Sequence, residues 1–227
     1  MPTSNDNGSN RRFYEMVFDE EKHLYYVDGK VVPSVTEILN PLHRSYGTVN
    51  AFTLELAAAR GTAVHLACQA IDQGDEPDID DETEGYISAY LDWLNLYDPI
   101  WVGIEKRVFC EEGWFAGTLD RVGYIGDDAV IVDIKTSQPT REAYLSVCLQ
   151  TIAYAMAMAS EDGFKRGYLE YRRYGLFLMK DGKYRLLDCQ TWEKQNHFNA
   201  DTVFAVLLKT HKMVSRLLET KGRKKDE

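Results

Sequence analysis

The feature that most constrains this chain is a short apolar run that ends in two charges. Residues 129–135 read A-V-I-V-D-I-K, a β-branched run typical of a strand covered on both faces. Because side chains alternate along a strand, Asp133 and Lys135 point to the same side, about 7 Å apart. Burying an unpaired carboxylate and an ammonium group is costly, so the fold must compensate both charges. A divalent metal bound by Asp133, with Lys135 facing a substrate phosphate, would do so. A polar exit from the sheet is the simpler alternative.

A second strand brings another carboxylate to the same place. Residues 117–122 read G-T-L-D-R-V and predict the preceding strand, and the turn signal G-D-D at 126–128 predicts a tight hairpin between the two strands. This hairpin places Asp120 close to Asp133. Two carboxylates beside a lysine favour a site for Mg²⁺ or Mn²⁺, because both ions prefer oxygen ligands.

Two predicted helices supply further polar groups. Residues 141–159 predict one helix, on which Gln150 and Tyr154 share a face because they are four residues apart. Residues 53–71 predict the other, whose stripe of mostly small residues has one polar member, His65. A single histidine on such a face is usually a core residue, but beside two carboxylates it becomes a candidate metal ligand. The stripe consists of Leu54, Ala58, Gly61, His65 and Cys68.

The overall pattern predicts an α/β fold with a mixed central sheet flanked by helices. Strand 100–110 is expected to open the sheet. Its Glu105 is a candidate for an additional metal-site carboxylate, although a surface ion pair is the favoured interpretation. Other expected elements are a hairpin in 13–32 around Asp28 and Gly29, a helix at 82–97, two strands in 167–189 and a helix at 192–220.

The region before these elements predicts a short helix with a capped start. Ser34 and Glu37 have the spacing of a capping box, and Pro41 would end the helix. The free backbone amides at such a helix start suit a phosphate, which makes Ser34 and Thr36 candidate contacts with a nucleic acid.

Four motifs follow one another in an order that resembles the RecB-like branch of the PD-(D/E)XK nuclease superfamily. A further segment, V-P-S-V-T-E-I-L at 32–39, is similar to part of phage nucleases and the mitochondrial genome maintenance exonuclease. The resemblance spans about residues 25–180 and implies a restriction-endonuclease-like fold. The motifs are G-T-A-V-H at 61–65, G-T-L-D at 117–120, D-I-K at 133–135 and Q-T-I-A-Y at 150–154.

The resemblance also implies roles for individual residues. The metal ligands would be His65, Asp120, Asp133 and the backbone carbonyl of Ile134. Lys135 would orient or deprotonate the attacking water and offset phosphate charge, although two nearby aspartates oppose the lowered pKa that a base requires. Asp120, Asp133, Lys135, Gln150 and Tyr154 would form the catalytic group. Candidate nucleic-acid contacts are Ser34, Thr36, Arg60, Thr62, Gln150 and Tyr154.

The charge of the chain is unusual for a protein that would hold a polyanion. The net charge is −10, whereas phosphate contacts usually dominate nucleic-acid affinity. Eight acids fall within residues 72–84, which we interpret as a solvated loop, and a basic stretch follows at 210–225. Further candidate phosphate contacts are Arg60, Arg141, Arg172 and Arg173.

The cysteines and the hydropathy pattern bear on cofactors and location. Cys68, Cys110, Cys148 and Cys189 lie far apart and contain no C-x-x-C pair, so we expect no zinc site, no disulfide framework and no iron–sulfur cluster. We expect no membrane span, a cytoplasmic location and no signal peptide. The chain is expected to divide into a disordered tail at 1–12, one domain at 13–220 and a charged tail at 221–227.

The sequence therefore predicts a metal-dependent DNA exonuclease that uses Mg²⁺ or Mn²⁺ and acts on DNA with a free end in recombination, repair or replication. An endonuclease or an RNA-directed nuclease on the same fold is one alternative. A catalytically idle nuclease fold that serves as a binding module is another. The residues do not identify a protein partner.

Overall fold

The structure, a computed structural model, describes residues 14–42, 51–161 and 166–222. The tail expected at 1–12 lies outside this part of the chain, as does 223–227. In chain order the elements are β1 (Met16–Asp19), β2 (Leu24–Val27), β3 (Lys30–Val32), α1 (Val35–Leu39), α2 (Ala51–Gln73), α3 (Glu84–Tyr97), β4 (Ile100–Cys110), β5 (Phe115–Ile125), β6 (Asp128–Lys135), α4 (Arg141–Glu161), β7 (Arg172–Leu178), β8 (Tyr184–Asp188), α5 (Cys189–Gln195) and α6 (Ala200–Gly222).

A five-stranded sheet occupies the centre of the fold, in the order β4-β5-β6-β7-β8. Neighbouring strands are antiparallel except β6 and β7, which are parallel because α4 crosses from one to the other. The predicted hairpin joins β5 to β6, with Arg121 opposite Val132 and Ile125 opposite Asp128. The expected α/β fold with a mixed sheet flanked by helices is confirmed.

Strand β6 lies between two hydrophobic clusters, one on each face of the sheet. Ile131 packs in a cluster with residues of α1, α4 and α6, whereas Val130, Val132 and Ile134 pack with residues of α2 and α3. All four side chains are fully buried, and burying a side chain of this size stabilises the fold by about 1.5–3 kcal/mol. The alternation places Asp133 on the α4 side of the sheet.

A smaller three-stranded antiparallel sheet, β1-β2-β3, packs against β4 and β5. Its core consists of Tyr25, Val27 and Val32, which contact Phe109 and Ala116. The hairpin expected in 13–32 is present around Asp28 and Gly29, and β1 adds a further strand to it. This small sheet therefore covers one end of the central sheet.

The short helix α1 begins where the capping motif predicts. The Glu37 amide donates to Ser34 Oγ at 3.0 Å, and the helix ends at Leu39, ahead of Pro41. Ser34 Oγ also lies 3.0 Å from Thr36 Oγ1. The hydroxyl groups of these two residues are thus engaged with each other and with the helix.

Two predicted elements differ from the structure. The helix expected at 192–220 is two helices, α5 and α6, because the chain turns at 196–199, where His197 has a positive φ of 56°. Asp72, placed in a solvated loop, belongs to the last turns of α2, and its side chain is 2% exposed. Its burial has a specific cause, an ion pair with Arg121.

Helix α4 is the central helix of the fold. Within the described residues it is the one helix that is long and apolar enough to cross a membrane. However, 72% of its apolar window is buried inside the protein, which is the pattern of a core helix. Its packing against β4, β6 and β7 accounts for its apolar composition.

The close approach of β4 and β5 at Gly123 yields a test of the fold. The register shifts beside Trp101, and a Cβ at Gly123 would lie 2.1 Å from the Ile100 carbonyl oxygen. Gly123→Ala should therefore lower the free energy of unfolding by about 1–3 kcal/mol. Urea denaturation measures this change.

Gly61→Ala is the matched control, because the nearest atom to its added Cβ would be Thr136 Oγ1 at 3.6 Å. This helical position should keep or slightly raise the stability of the protein, since alanine favours a helix by about 1 kcal/mol over glycine. Equal stability of the Gly123→Ala variant and the wild type would contradict the described strand pairing.

Candidate active site

Three side chains that could hold a metal ion converge at the middle of strands β4 and β5. Glu105 on β4 lies opposite Asp120 on β5, between the pairs Ile104–Arg121 and Lys106–Leu119. His65 on α2 reaches the same point, with Nδ1 at 3.7 Å from Glu105 Oε1 and 3.9 Å from Asp120 Oδ1. One donor atom from each of these residues lies within 4.8 Å of the others. We call this group the His65–Glu105–Asp120 cluster.

The imidazole of His65 is held by a backbone group. Its Nε2 lies 3.1 Å from the carbonyl oxygen of Ile134, so an Nε2–H donor leaves the Nδ1 lone pair facing the carboxylates. The carbonyl expected to bind the metal thus contacts the histidine. Burial lowers the pKa of His65, but the charges of Asp120 and Glu105 outweigh burial and raise it above its usual value.

Asp120 connects the two central strands. Its Oδ2 accepts a hydrogen bond from the Ile134 amide at 2.6 Å, while Oδ1 faces His65. The hairpin predicted from the sequence therefore does bring Asp120 next to β6. The two oxygens of Asp120 therefore make different contacts. Oδ2 joins β5 to β6, and Oδ1 belongs to the His65–Glu105–Asp120 cluster.

Glu105 occupies an unusual backbone conformation. Its φ is +46°, in the left-handed region, which costs a non-glycine residue about 1–3 kcal/mol. Glu105 does form an ion pair, but its partner is Arg121, whose side chain is 0% exposed, so the interpretation as a surface ion pair is wrong. Glu105 also faces His65. No strand pattern reveals a positive φ, so sequence reasoning left this residue as the minor alternative.

A buried arginine lies directly behind the cluster. Arg121 donates to Glu105 Oε1 at 3.0 Å, to the Asp120 carbonyl at 2.7 Å and to Asp72 Oδ2 at 2.5 Å. Asp72 also accepts hydrogen bonds from Tyr90 and Trp101. Sequence reasoning missed Arg121 and Asp72, although the arginine inside the apolar strand 117–122 was a signal of the same kind as Asp133 and Lys135.

Asp133 and Lys135 form an ion pair beside the cluster. Asp133 is 2% exposed, and its Oδ2 lies 2.8 Å from Lys135 Nζ. Burial raises the pKa of Asp133 to about 6, with Lys135 opposing this shift and Asp120 adding to it. Burial lowers the pKa of Lys135, yet Asp133 and Asp120 raise it above its ordinary value. The lysine is therefore an ammonium group here, which favours an electrostatic role over that of a base.

Gln150 and Tyr154 both lie on α4, and Tyr154 is near the charges of Asp133 and Asp120. Gln150 is 8% exposed and Tyr154 is 4% exposed. Burial and then the charges of Asp133 and Asp120 raise the pKa of Tyr154. A Cβ at Gly117 would lie 2.8 Å from the tyrosine ring, so this close packing requires glycine. Such burial favours a role in supporting the carboxylates over direct contact with a nucleic acid.

The candidate phosphate-binding arginines do not gather at the cluster. Arg173 is 3% exposed and pairs with Glu193 at 2.6 Å, so its assignment to phosphate contact is wrong. Arg141 donates to Asn196, and Arg172 lies near Asp128 and Asp188. Arg60 is half-buried, with its guanidinium 5.8 Å from the centre of the Tyr86 ring.

The cluster opens into a cleft of about 820 Å³ between α2 and the small sheet. Thr62 lines this cleft, and its hydroxyl donates to the Ala58 carbonyl. His65 and Glu105 line it as well, together with Phe18 and Arg107 from the opposite wall. A substrate in the cleft would thus lie directly over the cluster.

The structure has a strand hairpin with two carboxylates and a D-x-K sequence, on a mixed sheet flanked by helices. This arrangement is typical of one class of nucleases. The model of the PD-(D/E)XK nuclease superfamily matches residues 81–197, which include Asp120, Asp133 and Lys135. The chain therefore belongs to this superfamily, as its motifs predicted. His65 lies ahead of the matched residues.

One solved structure to which the chain is similar is the alkaline exonuclease LHK-Exo from Laribacter hongkongensis. The two chains are 15% identical, with 84% of this chain and 93% of that chain covered and a TM-score of 0.38. No curated protein sequence matches the chain significantly.

The Arg121 contacts generate a prediction for stability. Arg121→Met should lower the free energy of unfolding by about 3–5 kcal/mol, because it leaves the Asp72 carboxylate buried without its cation. The double variant Arg121→Met, Asp72→Leu should recover much of this loss. Urea denaturation of the three proteins measures both effects.

Glu105→Gln serves as the comparison, because the Glu105 side chain is 28% exposed and Arg121 keeps its buried partner Asp72 in this variant, so its loss of stability should be smaller than that of Arg121→Met. If Arg121→Met unfolded at the wild-type urea concentration, the described buried ion pair would be incorrect.

Proposed function

We propose that this nuclease is a metal-dependent deoxyribonuclease that degrades a DNA strand from an end, in recombination, repair or replication. The observation that carries the proposal is the His65–Glu105–Asp120 cluster in the cleft, with the Asp133–Lys135 ion pair beside it. Membership of the PD-(D/E)XK superfamily supports phosphodiester hydrolysis as the reaction. The DNA substrate and the need for an end are inferences from the sequence motifs and the cleft.

The donor set of the cluster fits a divalent cation. Two carboxylates and one imidazole offer the mixture of oxygen and nitrogen ligands that Mn²⁺ accepts, and the carboxylates also suit Mg²⁺. We propose His65, Glu105 and Asp120 as its side-chain ligands, with Asp133 and the Ile134 carbonyl adjacent. When bound, the cation supplies Lewis-acid polarisation of the phosphodiester and a more acidic water.

The chain's own groups complete the site. Lys135 keeps its proton, so its ammonium group offsets negative charge that develops on the phosphate. Asp133 Oδ2 lies 2.8 Å from that ammonium group and forms an ion pair with it. Tyr154 lies buried near the charges of Asp133 and Asp120, and Gln150 lies one turn before it on α4. His65 and Asp120 are fixed through the two backbone groups of Ile134.

The cleft supports action at an end. Its walls come from α2 on one side and from the small sheet on the other. A single strand confined between two such walls needs fewer phosphate contacts than a strand on an open surface, which is compatible with a net charge of −10. The alternative function for this site is that of an endonuclease or an RNA-directed nuclease. An idle binding module is disfavoured because Asp120, Asp133 and Lys135 are all present.

The requirement for an end is tested with two forms of one single-stranded DNA. With Mn²⁺, the linear form should be degraded progressively from a terminus, and the covalently closed circle should survive. A gel assay with end-labelled linear DNA, with and without chelator, records both results. Rapid nicking of the circle would contradict the exonuclease proposal and favour the endonuclease.

The division between metal ligands and Lys135 gives a second test. Lys135→Ala should lower the cleavage rate at least about 100-fold, because a positioned cation is lost, yet it should bind Mn²⁺ normally. Glu105→Gln should weaken Mn²⁺ binding, because a charged ligand becomes neutral. Isothermal titration calorimetry measures the Mn²⁺ affinity of each variant.

Lys180→Ala is the control for this pair, because Lys180 pairs with Glu82 at the surface. It should match the wild type in both rate and metal affinity. Loss of Mn²⁺ binding in Lys135→Ala would refute the proposed division of roles.

A further inference from the structure

Arg107 presents a fixed positive charge to the cleft. It lies on β4 two residues after Glu105 and opposite Thr118 of β5. Its guanidinium lies 5.2 Å from the centre of the Phe18 ring, and Nη2 lies 3.3 Å from Glu20 Oε1. The side chain remains 45% exposed, so most of its donors face the solvent of the cleft.

The aromatic support of Arg107 is itself anchored to the strand that carries Asp120. The Phe18 ring packs on Tyr25, with ring centres 4.5 Å apart. The Tyr25 hydroxyl is hydrogen-bonded to Thr118 Oγ1 at 2.8 Å, two residues before Asp120. This chain of contacts connects the guanidinium of Arg107 through Phe18 and Tyr25 to the strand of the cluster, and the contact with the Phe18 ring engages none of its N–H donors. Arginine held in this way suits the paired oxygens of a phosphate.

The charge of the cleft makes this arginine informative. Among the described residues that line the cleft, Arg107 carries the one permanent positive charge, whereas Glu20 and Glu105 are acidic. A nucleic-acid strand in an otherwise neutral and acidic cleft needs a cation for its phosphates. Arg141, Arg172 and Arg173 have partners outside this cleft.

We propose that Arg107 binds a phosphate of the strand next to the phosphodiester that is cut, an inference that rests on the proposed nuclease function. Glu105 and Arg107 lie two residues apart on β4, and both line the cleft. A strand with one phosphate at the cluster therefore brings a neighbouring phosphate towards the guanidinium.

Glu20 acts in this proposal as a placeholder for the phosphate. Its side chain is 80% exposed, and such surface ion pairs contribute little, about 0–1 kcal/mol. A phosphate can displace this carboxylate at little cost.

The test is the steady-state kinetics of single-stranded DNA cleavage by the full chain with Mn²⁺, over a series of salt concentrations. Arg107→Gln should raise KM about tenfold or more, with a smaller change in kcat. In a plot of log KM against log salt concentration, the slope of this variant should be shallower than that of the wild type by about 0.7. Arg107→Lys should recover part of the loss. Glu20→Gln should lower KM, because the competing carboxylate is removed.

A modified substrate locates the contact. One uncharged methylphosphonate, placed next to the first bond to be cut, should raise KM for the wild type and leave Arg107→Gln nearly unaffected. Arg185→Gln on β8 is the matched control, since it removes the same charge from an exposed position away from the cleft. Its KM should equal that of the wild type.

The outcomes separate this inference from the proposed function. Cleavage with equal KM and salt dependence in wild type and Arg107→Gln, or an equal methylphosphonate penalty in both, would overturn the role of Arg107 and leave the nuclease intact. Absence of any cleavage by the wild type with Mn²⁺ would instead overturn the function, and the role of Arg107 would fall with it. Urea denaturation of Arg107→Gln verifies that the variant folds.

Discussion

The architecture of the site depends on one buried ion pair network around Arg121. This guanidinium joins Asp72 of α2, Glu105 of β4 and the Asp120 carbonyl of β5, so three separate elements share one cation. Burying charges costs several kcal/mol for each ion unless partners compensate them. Arg121 compensates the carboxylates of Asp72 and Glu105, and the Glu105 Oε1 that accepts from Arg121 also lies 3.7 Å from His65 Nδ1. The helix that carries the histidine and the strands that carry the acids are thereby fixed relative to one another.

The alternation along β6 explains how neighbouring residues take different roles. Asp133 and Lys135 face the α4 side of the sheet, where Tyr154 packs. The Ile134 side chain points to the opposite face and packs in the hydrophobic core under α2 and α3. Both backbone groups of Ile134 then serve the site, the amide for Asp120 and the carbonyl for His65. The carboxylates are thus held in place by the sheet itself. Burial lowers the pKa of Lys135, but the charges of Asp133 and Asp120 raise it above its ordinary value.

The sequence predicted the parts of the fold that follow a strict period. The buried run at 129–135, the hairpin to Asp120 and the helix with His65 were predictable because one residue pattern determines each of them. Glu105 was only the minor alternative and Arg107 was not singled out, because their surroundings depend on strand register, a positive φ and a contact with Phe18 from a distant hairpin. Arg121 carried a visible signal, a charge within an apolar strand, but its partner Asp72 lay in a segment whose many acids indicated a solvated loop. The break between α5 and α6 was missed because the flanking residues 196–199 contain neither glycine nor proline.

The central claim is that His65, Glu105 and Asp120 form one cation site. A crystal of the full chain soaked in Mn²⁺, measured for the anomalous signal of manganese, tests it most directly. The account predicts an anomalous peak within bonding distance of His65 Nδ1 and of carboxylate oxygens from both Glu105 and Asp120. A peak at another place, such as the acidic segment 75–84, with none between these three residues, would contradict it.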